Sequence, residues 1–152
     1  MVKYWPFYAS EVISSEIFTK QEEEILTVLK VFDEYWDLSQ MMYELVDDQF
    51  TMVHVAVSLG RYKVMRYFIE KHNFDIDYYR EPLQRMTLLH VIAKYHKSTY
   101  LEEDKANIIR LIKSSNNLLL RNNFGRTIFN LAESIQGKGC DNAMFLKEEI
   151  SK

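Results

Sequence analysis

Four histidines, one cysteine and a run of three glutamates are the side chains of this sequence best suited to acid–base, nucleophilic or metal chemistry. A metal site needs several ligands converging. His90 and His96 stand six residues apart, His72 is isolated, and neither an HExxH nor a CxxC pattern occurs. Cys140, in "GKGCDN", has no local nucleophile signature beyond nearby glycines, although a helix start there would lower its pKa somewhat. The "GKG" of Gly137–Gly139 lacks the G-x-x-x-x-G-K-[ST] spacing of a phosphate loop. The acids Glu22, Glu23 and Glu24 would serve a metal or a catalytic pair, but they suit equally a solvated helix N-terminus, where carboxylates complement the dipole. No cofactor, metal or small-molecule substrate is implied.

His54 differs, because it lies in an apolar run that stops at a glycine, "TMVHVAVSLG", from Thr51 to Gly60. A threonine at a helix start accepts a backbone N–H as a cap. A histidine three residues later lies one turn on, on the same side, within reach of that hydroxyl. The pair is a structural device before it is a catalytic one. The same arrangement recurs in "TLLHVIAKYH" from Thr87, with His90, and in "TIFNLAESIQ" from Thr127, with asparagine at the histidine position. The three threonines are 36 and 40 residues apart, the irregularity that insertions into a repeat array produce.

The elements around these pairs are helical. Val64, Met65, Phe68 and Ile69 recur at helical spacing, predicting an amphipathic helix over residues 61–71. Ile108, Ile109, Leu111 and Ile112 do the same later in the chain. "QEEEILTVLKVFDEYW", from Gln21 to Trp36, opens with acids and carries Ile25, Leu26, Leu29 and Phe32 on one side. "DNAMFLKEEI", from Asp141 to Ile150, predicts the last helix. With only 4 glycines and 2 prolines the composition disfavours a many-turned β fold.

These units resemble the ankyrin repeat, whose signature is T-P-L-H-x-A. Thr51, His54 and Ala56 match it; so do Thr87, Leu89 and His90, with Ala93 one place late; and so do Thr127 and Ala132. "NNFGRT", including Gly125, resembles the family's D-x-x-G-x-T hairpin, and Gly60–Asp77 resembles its second helix and exit. The proline of the signature is absent from all three units. The resemblance implies an all-α ankyrin-repeat solenoid of about four helix-turn-helix repeats with hairpin loops. A single domain, 1–152, would hold repeats near 10–46, 47–82, 83–121 and 122–150, the first a degenerate cap. Excess length falls at His72–Met86 and at Lys94–Asp104, the latter about 8 residues judged against a repeat of about 33.

The resemblance also places the functional surface. In the family, recognition uses hairpin tips and the concave faces of first helices. The eighth residue after each threonine, usually polar there, is Leu59, Tyr95 and Ile135, and the fourth is Val55, Val91 and Leu131. Either these positions form an exposed apolar ladder for a partner, or the Lys94–Asp104 insertion folds over and buries them. Tyr78, Tyr79 and Arg80, in the long hairpin, supply side chains typical of interface anchors. The structural set is Thr51, His54, Gly60, Thr87, His90, Gly125 and Thr127.

A net charge of −3 argues against a general nucleic-acid binder, and no direct nucleic-acid contact is expected. No run approaches the roughly 18 apolar residues of a membrane span, and the start lacks the apolar core of a signal peptide. Together with the single Cys140 these features predict a reducing compartment, cytoplasm or nucleus. The expected role is non-enzymatic binding of a protein partner. Short, cysteine-poor arrays of degenerate repeats resemble the IkappaB-like viral inhibitors of Rel/NF-kappa-B factors, including those delivered by parasitoid wasps. Such proteins hold Rel-type factors away from DNA, here in the host cell. No D-S-G-x-x-S degradation signal occurs in this sequence, so on that resemblance the inhibitor would escape signalled destruction. The alternative is an adaptor or effector that recruits another host protein, for example in ubiquitin ligation; no F-box is evident.

Overall fold

Several helices of this chain begin where a side-chain oxygen meets the unpaired backbone N–H groups of the first turn. Thr51 and Thr87, both with extended backbone, accept the N–H of His54 and His90 and so start two seven-residue helices. The computed structural model describes residues 11–13, 15–17, 19–43, 50–78, 86–95, 102–115, 118, 120–136 and 141–151. Its helices are α1 (Glu22–Tyr35), α2 (Met52–Ser58), α3 (Tyr62–His72), α4 (Leu88–Lys94), α5 (Glu102–Ser114), α6 (Ile128–Gln136) and α7 (Asp141–Ile150), with a short 3-10 turn at Leu38–Gln40. No β-strand forms among the described residues. The described residues are all-α, and α2 and α3 are paired through a short turn. It divides into two compact units, Met1–Asp75 and Ile76–Lys152.

In the first unit α2 and α3 form a helical hairpin, and α1 packs on α3. The turn between α2 and α3 needs a left-handed residue, supplied by Gly60 at φ 75°. The N–H of Gly60 bonds to Val57 O at 3.0 Å, and that of Arg61 to Ala56 O at 2.8 Å, closing the carbonyls that α2 leaves open. The start of α3 is satisfied from α1: Glu22 Oε1 accepts the N–H of Lys63 at 2.7 Å and of Val64 at 3.4 Å. The acids at the start of α1 thus do more than sit in solvent, because one of them caps the neighbouring helix. Ile25 and Leu29 of α1, Val53, Ala56 and Val57 of α2, and Val64 and Phe68 of α3 are buried, together with Leu38 and Met41 from the turn that follows α1.

In the second unit α4 packs on α6, and α7 packs on both α5 and α6. Leu88, Val91, Ile92, Ile108, Leu111, Ile128, Ala132 and Leu146 make its core. The turn before α6 is organised by Asn122, whose Oδ1 accepts the N–H of Phe124 at 2.9 Å and of Arg126 at 3.1 Å. Gly125 turns the chain at φ 73°. Glu102, Glu103 and Asp104, which the sequence suggested belong to an insertion, form the first turn of α5. Its remaining residues 96–101 lie outside the described residues.

Candidate interaction surface

Polar side chains at three helix starts are bonded to one another and to the backbone. In the first unit Thr51 Oγ1 lies 2.8 Å from His54 Nδ1 and accepts the His54 N–H at 3.3 Å. The His54 ring stacks on Phe50 at 5.8 Å between centroids and meets Phe74 edge-on at 6.1 Å. The residues on either side of the helical hairpin are thereby tied to its first turn.

In the second unit the same device is more fully determined. Thr87 Oγ1 lies 2.8 Å from His90 Nδ1, and the Thr87 N–H points at that same nitrogen at 3.3 Å. His90 Nε2 lies 2.9 Å from the carbonyl oxygen of Leu120. A carbonyl only accepts, so Nε2 carries the proton and Nδ1 is the acceptor for Thr87. Burial holds the His90 pKa below its ordinary value, opposed in part by the backbone carbonyls of Leu120 and Arg126. Both ring nitrogens are committed to the fold, so this neutral imidazole is not a general base for a substrate. Thr127 and Asn130 repeat the pattern with an amide: Asn130 Oδ1 accepts the Thr127 N–H at 3.1 Å, and Thr127 Oγ1 accepts the Asn130 N–H at 3.3 Å.

Among the described residues no group of three His, Cys, Asp or Glu side chains is placed to hold a metal ion. His96, Cys140 and the glycines at 137 and 139 lie outside the described residues. Among the described residues no helix is long and apolar enough to cross a membrane.

The expected partner-binding positions separate into two groups. Leu59 and Tyr95, each the residue that closes its threonine-led helix, are 40% and 38% exposed. The Tyr95 ring is flanked by Lys94, whose Nζ stands 5.2 Å from its centroid. Val55, Val91 and Leu131 are not accessible and the expectation is corrected there: they are 3%, 0% and 5% exposed, and belong to the cores of their units. The fourth position after each threonine lies one turn into the helix, on the side that packs inward. Tyr78 is half-buried. Tyr79 and Arg80 lie outside the described residues, as does the side chain of Ile135, although its backbone is part of α6.

Several exposed residues were not singled out by sequence reasoning, among them one in the turn before α6. Phe124, at the tip of the turn before α6, is 69% exposed, with Arg121 and Arg126 also exposed beside it in the chain. Arg121 donates to Gly125 O at 2.7 Å, which steadies the tip. Its signal was an aromatic residue inside a turn, next to the glycine that makes it; such a side chain has no core to enter.

Residues 48–77 match the family model of the ankyrin repeat. Ankyrin repeats are in general modules of protein–protein interaction. Comparison with curated proteins and with solved structures finds no match.

Proposed function

We propose that this protein acts without catalysis, by binding another protein through the exposed residues that close its threonine-led helices. The observation that carries this reading is the exposure of Leu59 and Tyr95. Both occupy the same register position in different units, and both are exposed while the six residues after Thr51 and after Thr87 are buried. A large apolar side chain left in water at a repeated position marks a surface that is covered in use. Phe124, in the second unit, is a further exposed aromatic side chain, on a turn stiffened by Asn122 and Arg121. A surface ordered beforehand by caps and staples costs little further ordering on binding.

The partner in this proposal is a Rel-type NF-kappa-B transcription factor, held away from DNA in the cytoplasm or nucleus of a host cell by a viral protein. Support comes from the degenerate, cysteine-poor repeats and from the net negative charge of −3, which suits a surface made to grip phosphates. Affinity capture from insect and mammalian cell lysates, read by mass spectrometry, tests this identification. Rel proteins should be recovered by the wild-type chain and lost with Leu59→Ser/Tyr95→Ala. Recovery of cullin components without any Rel protein would make the protein an adaptor instead.

A further inference from the structure

The first unit carries a second feature that the surface above does not use. Helices α1 and α3 end side by side, and their last residues line one open cleft of about 410 Å3. The α3 axis carries this cleft about 15 Å from the turn that holds Leu59, at 1.5 Å rise per residue.

Its floor is a polar network. Tyr67 donates its hydroxyl hydrogen to Asp33 Oδ2, and His72 Nε2 lies 2.9 Å from Asp33 Oδ1. Asp33 and His72 are each nine-tenths buried at the side chain, so this part of the network is fixed. The other ring nitrogen of His72 stands 3.7 Å from Asp37 Oδ1. The same Asp37 oxygen accepts from the hydroxyl of Ser39 at 2.7 Å and from its N–H at 3.0 Å. Those bonds hold the Asp37 carboxylate in place while it remains 57% exposed. They also keep its pKa below the ordinary value, so it is charged at neutral pH.

The rim is aromatic. Trp36 packs on Phe32 at 5.3 Å and on Tyr35 at 6.1 Å, and yet it is 42% exposed, with Tyr35 71% exposed. Part of the Trp36 indole and most of the Tyr35 phenol are thus exposed at the cleft that Glu34 and Asp37 also line. The field is negative. Both helices present their C-terminal carbonyls here; α1 has no basic residue in its last turn, whereas α3 carries Lys71 and His72 in its own, against the three carboxylates of Asp33, Glu34 and Asp37. Among the described residues the one ammonium lining the cleft, that of Lys71, stands 5.7 Å from the centroid of the Tyr67 ring.

We propose that this cleft is a docking site for an arginine side chain presented by a partner protein. A guanidinium is planar, so it stacks on an indole or phenol face, and its forked N–H groups match a fixed carboxylate. The cleft offers both within one opening, in a negative field that favours a cation. A lysine ammonium has the charge without the plane. The inference does not depend on which protein covers Leu59 and Tyr95.

The test uses the whole chain with Trp5→Phe, which leaves Trp36 as its one indole. The indole N–H signal is followed by NMR during titration with Gly-Gly-Arg-Gly-Gly, blocked at both ends, and with its lysine and citrulline counterparts. The arginine peptide should shift the signal saturably, the lysine peptide should bind at least about threefold more weakly, and citrulline, which keeps the shape without the charge, should have no effect. Asp37→Asn and Glu34→Gln should each weaken the arginine response, with Glu70→Gln unchanged. Glu34 is exposed, so its variant serves even if loss of the Ser39 contacts unsettles Asp37→Asn. No saturable shift with the arginine peptide, an equal response to lysine or citrulline, or full binding by a folded Glu34→Gln chain would each overturn the proposal.

Discussion

Thr87 and His90 meet at 2.8 Å, hydroxyl oxygen to Nδ1, while the far nitrogen of the same ring reaches the carbonyl of Leu120 thirty residues on. One side chain thus joins a helix start to the segment that leads into the next helical pair. Its loss removes the ring's bonds to the Thr87 hydroxyl, the Thr87 N–H and the Leu120 carbonyl. His90→Ala should therefore destabilise the protein by about 1–3 kcal/mol, measured by urea unfolding. His90→Asn should recover part of that, because Asn130 already answers Thr127 in this way.

Stability should also depend on pH through His90. Its folded-state pKa lies below the ordinary value of 6.5, because burial disfavours the charged ring. The unfolded chain therefore takes up a proton at higher pH than the folded one. The contribution of the neutral ring is complete above about pH 6.5 and is lost as pH falls from there toward the folded-state pKa. Unfolding curves across that interval should show a shallower decline in His90→Asn than in the wild type.

The core and surface positions of the threonine-led helices should respond in opposite ways. Val91→Ala removes buried methyl groups, with an expected cost of roughly 1–3 kcal/mol. Leu59→Ser and Tyr95→Ala touch exposed residues and should each change stability by less than about 1 kcal/mol. Thermal unfolding of the three variants distinguishes the classes.

Gly125 isolates a backbone effect. Its φ is 73°, and a β-carbon placed there would meet nothing within 4 Å. Gly125→Ala should cost about 1 kcal/mol from the left-handed conformation alone, without a steric contribution. A loss several times larger in urea unfolding would mean that the turn tolerates less than its open surroundings indicate.

The helices were legible in the sequence because their signals are local. Apolar spacing placed a helix at residues 61–71, where α3 runs Tyr62–His72, and the segment Asp141–Ile150 forms α7. Thr51 and Thr87 start helices because a cap needs only neighbours in sequence. What escaped the sequence depends on partners far along the chain. His72 stands alone in sequence, yet its ring meets Asp33, 39 residues earlier. Glu22 caps a helix 41 residues downstream. Val55 and Val91 could not be separated from Leu59 and Tyr95 by period alone, since which apolar residues are covered is decided by what packs against each helix. The family's repeat register narrowed the choice, and burial completed it.

The central claim is most directly tested by isothermal titration calorimetry of the wild-type chain and of Leu59→Ser/Tyr95→Ala against a purified Rel homology region. The proposed function predicts a saturable complex with a Kd of about 1 μM or tighter for the wild type, weakened at least about tenfold in the double variant, whose unfolding midpoint stays close to that of the wild type. Absence of binding by the wild type, or equal affinity in a folded double variant, would contradict it.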